Sequence, residues 1–155
     1  KKEKQGKLPS YIPKKLPNAL AELAVHQFEK LEKFNIHREE IATIYTQVLR
    51  DSKMKLPLIQ AGRIYMRYSI ILEDTDTDKI LKEFRKKKIF LNDGWRKTPV
   101  VPPDTDQKKM GYVSGTCPIA EKVAKHILNL PTHISLSKDC AKRIAEQLKT
   151  FTTLK

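Results

Sequence analysis

Apolar positions recur at helical spacing near both ends of this chain and lose that spacing in the middle. Leu16, Leu20, Leu23, Leu31 and Phe34, with Gln27 in register, fall three and four residues apart, and Pro17 suits a first helical turn. A second run places Ile41, Ile44, Tyr45, Val48 and Leu49 on one face. Phe34, Asn35, Ile36 and His37 between the runs predict a kink or short break. The two runs therefore predict one long bent helix or a helix pair. Such a helix exceeds what a domain of this size needs, so it is expected to dock on a partner.

The middle of the chain changes period. Residues 51–62 read as a connector, with Pro57 and Gly62 as punctuation. Residues 64–72, rich in β-branched and aromatic side chains, predict a strand. Thr75 and Asp78 form a start resembling a capping box for a short helix with Ile80, Leu81 and Phe84 inward. Residues 89–91 predict a second strand, ending near Asn92, Asp93 and Gly94. Residues 95–109 are irregular, with Pro99, Pro102 and Pro103.

Helical period then returns. Gly115 frees the backbone, Thr116 or Cys117 is placed to cap, and Pro118 fits the first turn. Ile119, Ala120, Val123, Ala124, Ile127 and Leu128 line one face, and Pro131 prevents continuation. A last helix starts at Ser137 as N-cap, with Asp139 in its first turn and Ala141, Ile144, Ala145 and Leu148 buried. The predicted class is α+β: a long, kinked N-terminal helix plus a small, mostly antiparallel sheet covered by helices. The predicted organisation is a basic arm or linker at 1–15, a bridging helix or helix pair at 16–52, and a small α+β domain at 53–155.

Charge changes this picture only locally. The 155 residues carry a formal net charge of +13. Residues 1–15 hold six Lys against one Glu, and Lys82, Arg85, Lys86, Lys87 and Lys88 form a second cluster. No stripe of base-stacking aromatics runs between these cations, so a solvated surface is expected ahead of a nucleic-acid interface. No apolar run approaches the roughly 20 residues that span a membrane. Cys117 and Cys140 do not make a disulfide framework, which points to a reducing cytoplasm. The chain begins at Lys1 rather than Met, and a processed or excised piece is the expectation.

The residues alone assemble no catalytic constellation. His26, His37, His126 and His133 are scattered, and with Cys117 and Cys140 they show no zinc spacing. Asp74, Asp76 and Asp78 lack the Gly and terminal Glu of a calcium loop and read as a turn and helix cap. Phosphate-loop and dinucleotide fingerprints are missing. Trp95 and Arg96, directly after a predicted strand, are candidates to face a ligand, the alternative being that Trp95 covers the sheet edge.

The helix at Leu16–Leu31, then His37-Arg38, Ile41-Ala42 and Tyr45, resembles the DegT/DnrJ/StrS sugar aminotransferases. Gly94-Trp95, Gly111-Tyr112, Gly115-Thr116-Cys117-Pro118, Ala120-Glu121 and Asn129-Leu130-Pro131-Thr132-His133 follow in the order of one branch of that family. The similarity covers about residues 11–150. It implies a fold type I enzyme using pyridoxal 5′-phosphate to move an amino group from glutamate to a keto sugar on a nucleotide. It also implies that the Schiff-base lysine lies in a large N-terminal domain, which is a missing partner of this chain. This chain would then be the C-terminal domain, closing the active-site cleft and supporting a homodimer, with no catalytic residue and no cofactor bound by itself. Pro13-Lys14-Lys15 stands where the family often has Asn-Tyr-Arg, which makes Lys15 the candidate cation for the neighbouring subunit's cofactor phosphate. Trp95 and Arg96 occupy the place of a substrate-facing His. The alternatives are a basic nucleic-acid-binding module and a stand-alone protein-interaction module.

Overall fold

A computed structural model of the chain describes residues 5–7, 15–73, 75–91, 99–102 and 104–153. In chain order the elements are α1 (Asn18–Phe28), α2 (Leu31–Leu49), β1 (Tyr68–Ile71), α3 (Thr77–Lys86), α4 (Pro118–His126), β2 (Ile127–Leu130) and α5 (Lys138–Thr153). The chain divides into two compact units, one of residues 1–31 and 94–125, the other of residues 32–93 and 126–155.

The second unit holds the main core. β1 and β2 pair antiparallel, with Tyr68 opposite Leu130 and Ile71 opposite Ile127. Alternation along β1 sends Tyr68 and Ile70 inward, while β2 buries Leu128, Asn129 and Leu130. Asn129 is a polar residue in this apolar layer, and its Oδ1 accepts from Ser69 Oγ of the facing strand at 2.6 Å. Lys55 extends the pairing by bonding both backbone groups of Ile71 at 3.0 Å.

Helices cover the sheet because each presents a single apolar stripe. α2 buries Ile41, Ala42, Tyr45 and Leu49. The Tyr45 ring lies 5.2 Å from that of Tyr68, and its hydroxyl donates to the carbonyl of Pro131 at 2.9 Å. The Tyr68 hydroxyl meets Thr46 Oγ1 at 2.7 Å, so both buried phenols are satisfied. α5 buries Ala141, Ile144, Ala145 and Leu148, the face that the sequence predicts. Ser137 Oγ accepts from the Cys140 amide at 3.2 Å, as expected of an N-cap. Lys149 of α5 donates to the Val48 carbonyl at 3.3 Å, placing a cation at the negative end of α2.

Four local expectations change. The interruption between the first two helices falls at Glu29 and Lys30, not at residues 34–37. Asn35 stays helical because its side-chain oxygen accepts from Arg38 Nη1 at 3.0 Å instead of competing for the backbone. The strand expected at 64–72 contracts to Tyr68–Ile71. Residues 89–91 form no strand; Ile89 N bonds the Phe84 carbonyl at 2.9 Å and closes α3, while Ile89 and Leu91 plug the core. The partner strand is instead β2, where the apolar pattern of the α4 helix runs past His126. Asp76, rather than Thr75, caps α3 by accepting from the Asp78 amide at 2.9 Å.

α1 differs from every other helix in burying no residue. Leu20, Leu23 and Phe28 stay exposed, Leu23 by 59% and Phe28 by 71%. No described helix is long and apolar enough to cross a membrane.

Candidate functional site

The loop before α4 is the best-organised surface of the first unit. Asp106 starts it, accepting the Lys109 amide at Oδ1 (3.2 Å) and the Met110 amide at its carbonyl (3.0 Å). The Tyr112 amide closes the turn on the Gln107 carbonyl at 2.9 Å. Gly111 and Gly115 have φ of 78° and 93°, the left-handed region that a side chain disfavours, and these two positions give the loop its reversals.

Glu121, one turn into α4, gathers the loop. Its Oε1 accepts from the Tyr112 hydroxyl at 2.8 Å, the Gly115 amide at 2.7 Å and the Cys117 amide at 3.3 Å. Three donors and the positive end of the helix converge on one carboxylate. The Tyr112 hydrogen bond, then the Gly115 amide, holds the Glu121 carboxyl below the usual carboxylate range. Burial, reinforced by the bond to Glu121, pushes the Tyr112 phenol up. Glu121 is therefore an ionised anchor at neutral pH rather than a proton donor.

This arrangement replaces the expected cap. Thr116 Oγ1 turns back to the Val113 carbonyl at 2.6 Å, and the helix entry is satisfied from within by Glu121. The sequence held a signal for this role: a Glu four residues after Cys117 and one turn into a helix. Cys117 is half-buried with a free thiol, and Thr116 Oγ1 lies 3.9 Å from its sulfur.

Tyr112 and Glu121 line a cleft of about 440 Å³, whose other described lining residues are Pro99, Gln107, Ser114 and Lys125. Its rim offers an amide, a hydroxyl and an ammonium group. These donors suit a polar or anionic ligand, and no base is paired with a nucleophile among them. Among the described residues, no group of three or more His, Cys, Asp or Glu is placed to hold a metal ion.

Lys15 is exposed just before α1 and is not among the described residues that line this cleft. Trp95 and Arg96 lie outside the described residues.

Comparisons with known proteins agree with the motif order. The model of the DegT/DnrJ/EryC1/StrS aminotransferase family matches residues 5–149. A dTDP-3-amino-3,4,6-trideoxy-alpha-D-glucose transaminase of Micromonospora megalomicea subsp. nigra is 26% identical over 144 residues, covering 90% of this chain and 38% of that protein. A DegT DnrJ EryC1 StrS aminotransferase from Brucella abortus superposes with a TM-score of 0.65 at 25% identity, over 83% of this chain and 34% of that one. The PLP form of Spr1654 from Streptococcus pneumoniae has the same fold, with a TM-score of 0.76 at 20% identity, over 90% of this chain and 36% of that one. The chain thus spans little more than a third of the relatives it matches. With nearly its whole length matched by the family model, this chain belongs to the DegT/DnrJ/EryC1/StrS aminotransferase family.

Proposed function

We propose that this chain is the C-terminal domain of a pyridoxal phosphate-dependent aminotransferase acting on a nucleotide-linked keto sugar in the cytoplasm. It closes the active-site cleft and supports a homodimer, and a large α/β domain supplies the chemistry. The observation that carries this reading is α1. It shares the family match, buries nothing, and exposes Leu20, Leu23 and Phe28. A matched helix with an uncovered apolar face fits a bridge to a domain beyond these residues. In this reading residues 1–15 are an arm, 16–52 bridge the domains and 53–155 form the small domain.

The described residues do not themselves fit pyridoxal phosphate. A Schiff-base lysine needs a desolvated pocket, and every described lysine is exposed except half-buried Lys149, which is bound to the Val48 carbonyl. The roles proposed for this chain are accordingly binding and positioning. Lys15 offers a cation to the neighbouring subunit's cofactor phosphate, and Trp95 and Arg96 meet the sugar. Glu121 and Tyr112 keep the loop before α4 in one shape, so the lid closes as a formed surface.

Borohydride reduction of the whole protein tests the reading. A trapped pyridoxyl group is expected on a lysine outside these 155 residues, together with amino transfer from glutamate to a nucleotide-linked keto sugar. Trapping on a lysine within this chain would overturn it. A whole protein that binds no pyridoxal phosphate would do the same.

A further inference from the structure

In the second unit, α3 presents a row of cations. Its inner face buries Thr77, Ile80, Leu81 and Phe84, which leaves Lys79, Lys82, Arg85 and Lys86 exposed on the outer face. The next residue, Lys87, hydrogen-bonds Gln147 Oε1 of α5 and ties the two helices together. Between them runs an open cleft of about 860 Å³, lined by those four cations, Glu83 and Phe151. Glu83 is the one carboxylate among the described lining residues and is engaged by Lys86 at 2.6 Å. The cleft therefore has a cationic rim over a surface of aliphatic lysine stems and one half-buried aromatic ring.

The sequence separates Phe151 from these cations by more than sixty residues and offers no sign that they meet. The fold reverses that separation by setting α5 beside α3. We propose that the α3–α5 cleft binds single-stranded nucleic acid, with phosphates along Lys79, Lys82, Arg85 and Lys86 and an unpaired base against Phe151. A polyanion satisfies the rim, whereas a planar base uses the apolar surface that an acidic polypeptide leaves uncovered. A duplex keeps its bases stacked on one another and away from a single aromatic platform.

The test is fluorescence anisotropy of the intact protein with a labelled oligothymidylate at low salt, with folding of each variant checked by circular dichroism. Binding is expected, and with about three phosphates neutralised the slope of log K against log salt is about −2. The double variant Lys82→Glu/Arg85→Glu should weaken binding at least tenfold. Phe151→Leu, which keeps the apolar volume, should weaken it about fivefold or more. Lys122→Glu, which reverses one charge on α4, should leave it within twofold. Absence of binding would overturn the proposal. Equal losses in the α3 and α4 variants would overturn it as diffuse charge attraction. Competition by polyglutamate as strong as by unlabelled oligonucleotide would assign the cleft to acidic protein instead.

Discussion

α1 and α2 are consecutive helices separated by two residues, yet they differ completely in what they bury. α2 places Ile41, Ala42, Tyr45 and Leu49 fully inside, whereas α1 places nothing there. Both show apolar residues at helical spacing, so the pattern does not distinguish them. What distinguishes them is the surface available to each: α2 meets the sheet and α5, and α1 shows Leu20, Leu23 and Phe28 to solvent. The stability of this chain should therefore depend on α2 and scarcely on α1, while association should depend on α1.

Denaturant titration breaks or sharpens that contrast most directly. Leu49→Ala opens a cavity in the core and is expected to cost about 2–5 kcal/mol. Tyr45→Phe comes next. It leaves the Pro131 carbonyl without its partner and should cost about 1 kcal/mol at neutral pH. Burial pushes the Tyr45 phenol far above its ordinary value. A phenol raised in the folded state stabilises the fold below the unfolded value of about 10 and loses that contribution as pH rises past it. Alkaline denaturation should accordingly be shallower in Tyr45→Phe than in the wild type.

Lys88 tests the ledge between α3 and the core. Its φ of 59° places a side chain in the left-handed region at the end of α3. Lys88→Gly should raise stability by about 1 kcal/mol, read as a higher denaturation midpoint with unchanged slope. The Glu121 cradle should show a local response rather than a global one. Because its carboxyl is held low, its anchoring is complete above the ordinary carboxylate range and is lost as pH falls through the depressed value. An acid titration followed by the NMR shift of the Gly115 amide should show this step, and Glu121→Gln should abolish it. The smallest effect belongs to α1: Leu23→Ala should change the chain's own stability by less than about 0.5 kcal/mol. Leu20→Lys combined with Leu23→Lys should nonetheless reduce self-association in sedimentation. A large loss of stability from Leu23→Ala would mean that α1 has a partner within the chain.

Much of the fold was legible because it depends on local period. The α5 face at Ala141, Ile144, Ala145 and Leu148 and the cap at Ser137 follow from spacing and from one side-chain oxygen. The α+β class followed from the change of period between residues 51 and 91. The strand pairing was not legible. Residues 127–130 continue the α4 apolar pattern, and a short apolar run reads equally as helix or strand until an edge is there to receive it. β1 provides that edge, and Ser69 opposite Asn129 accommodates the one polar residue in the run.

The candidate surfaces divide in the same way. Sequence order alone carried the family, because the run from Gly111 through Glu121 to His133 survives as spacing. It did not show why Glu121 belongs in that run, since the three donors it gathers lie on a loop whose path is set by two left-handed glycines. Nor could it bring Phe151 to the cations of α3, a meeting produced by two amphipathic helices burying their apolar faces side by side. The sequence by itself determined which faces are apolar and where helices start and stop, because those depend on residues within a turn of one another. The tertiary structure decided which apolar runs became helix or strand, which carboxylate became an anchor, and which apolar face was left uncovered. Those outcomes depend on groups distant along the chain, whose burial and hydrogen bonding exist only once the core has closed.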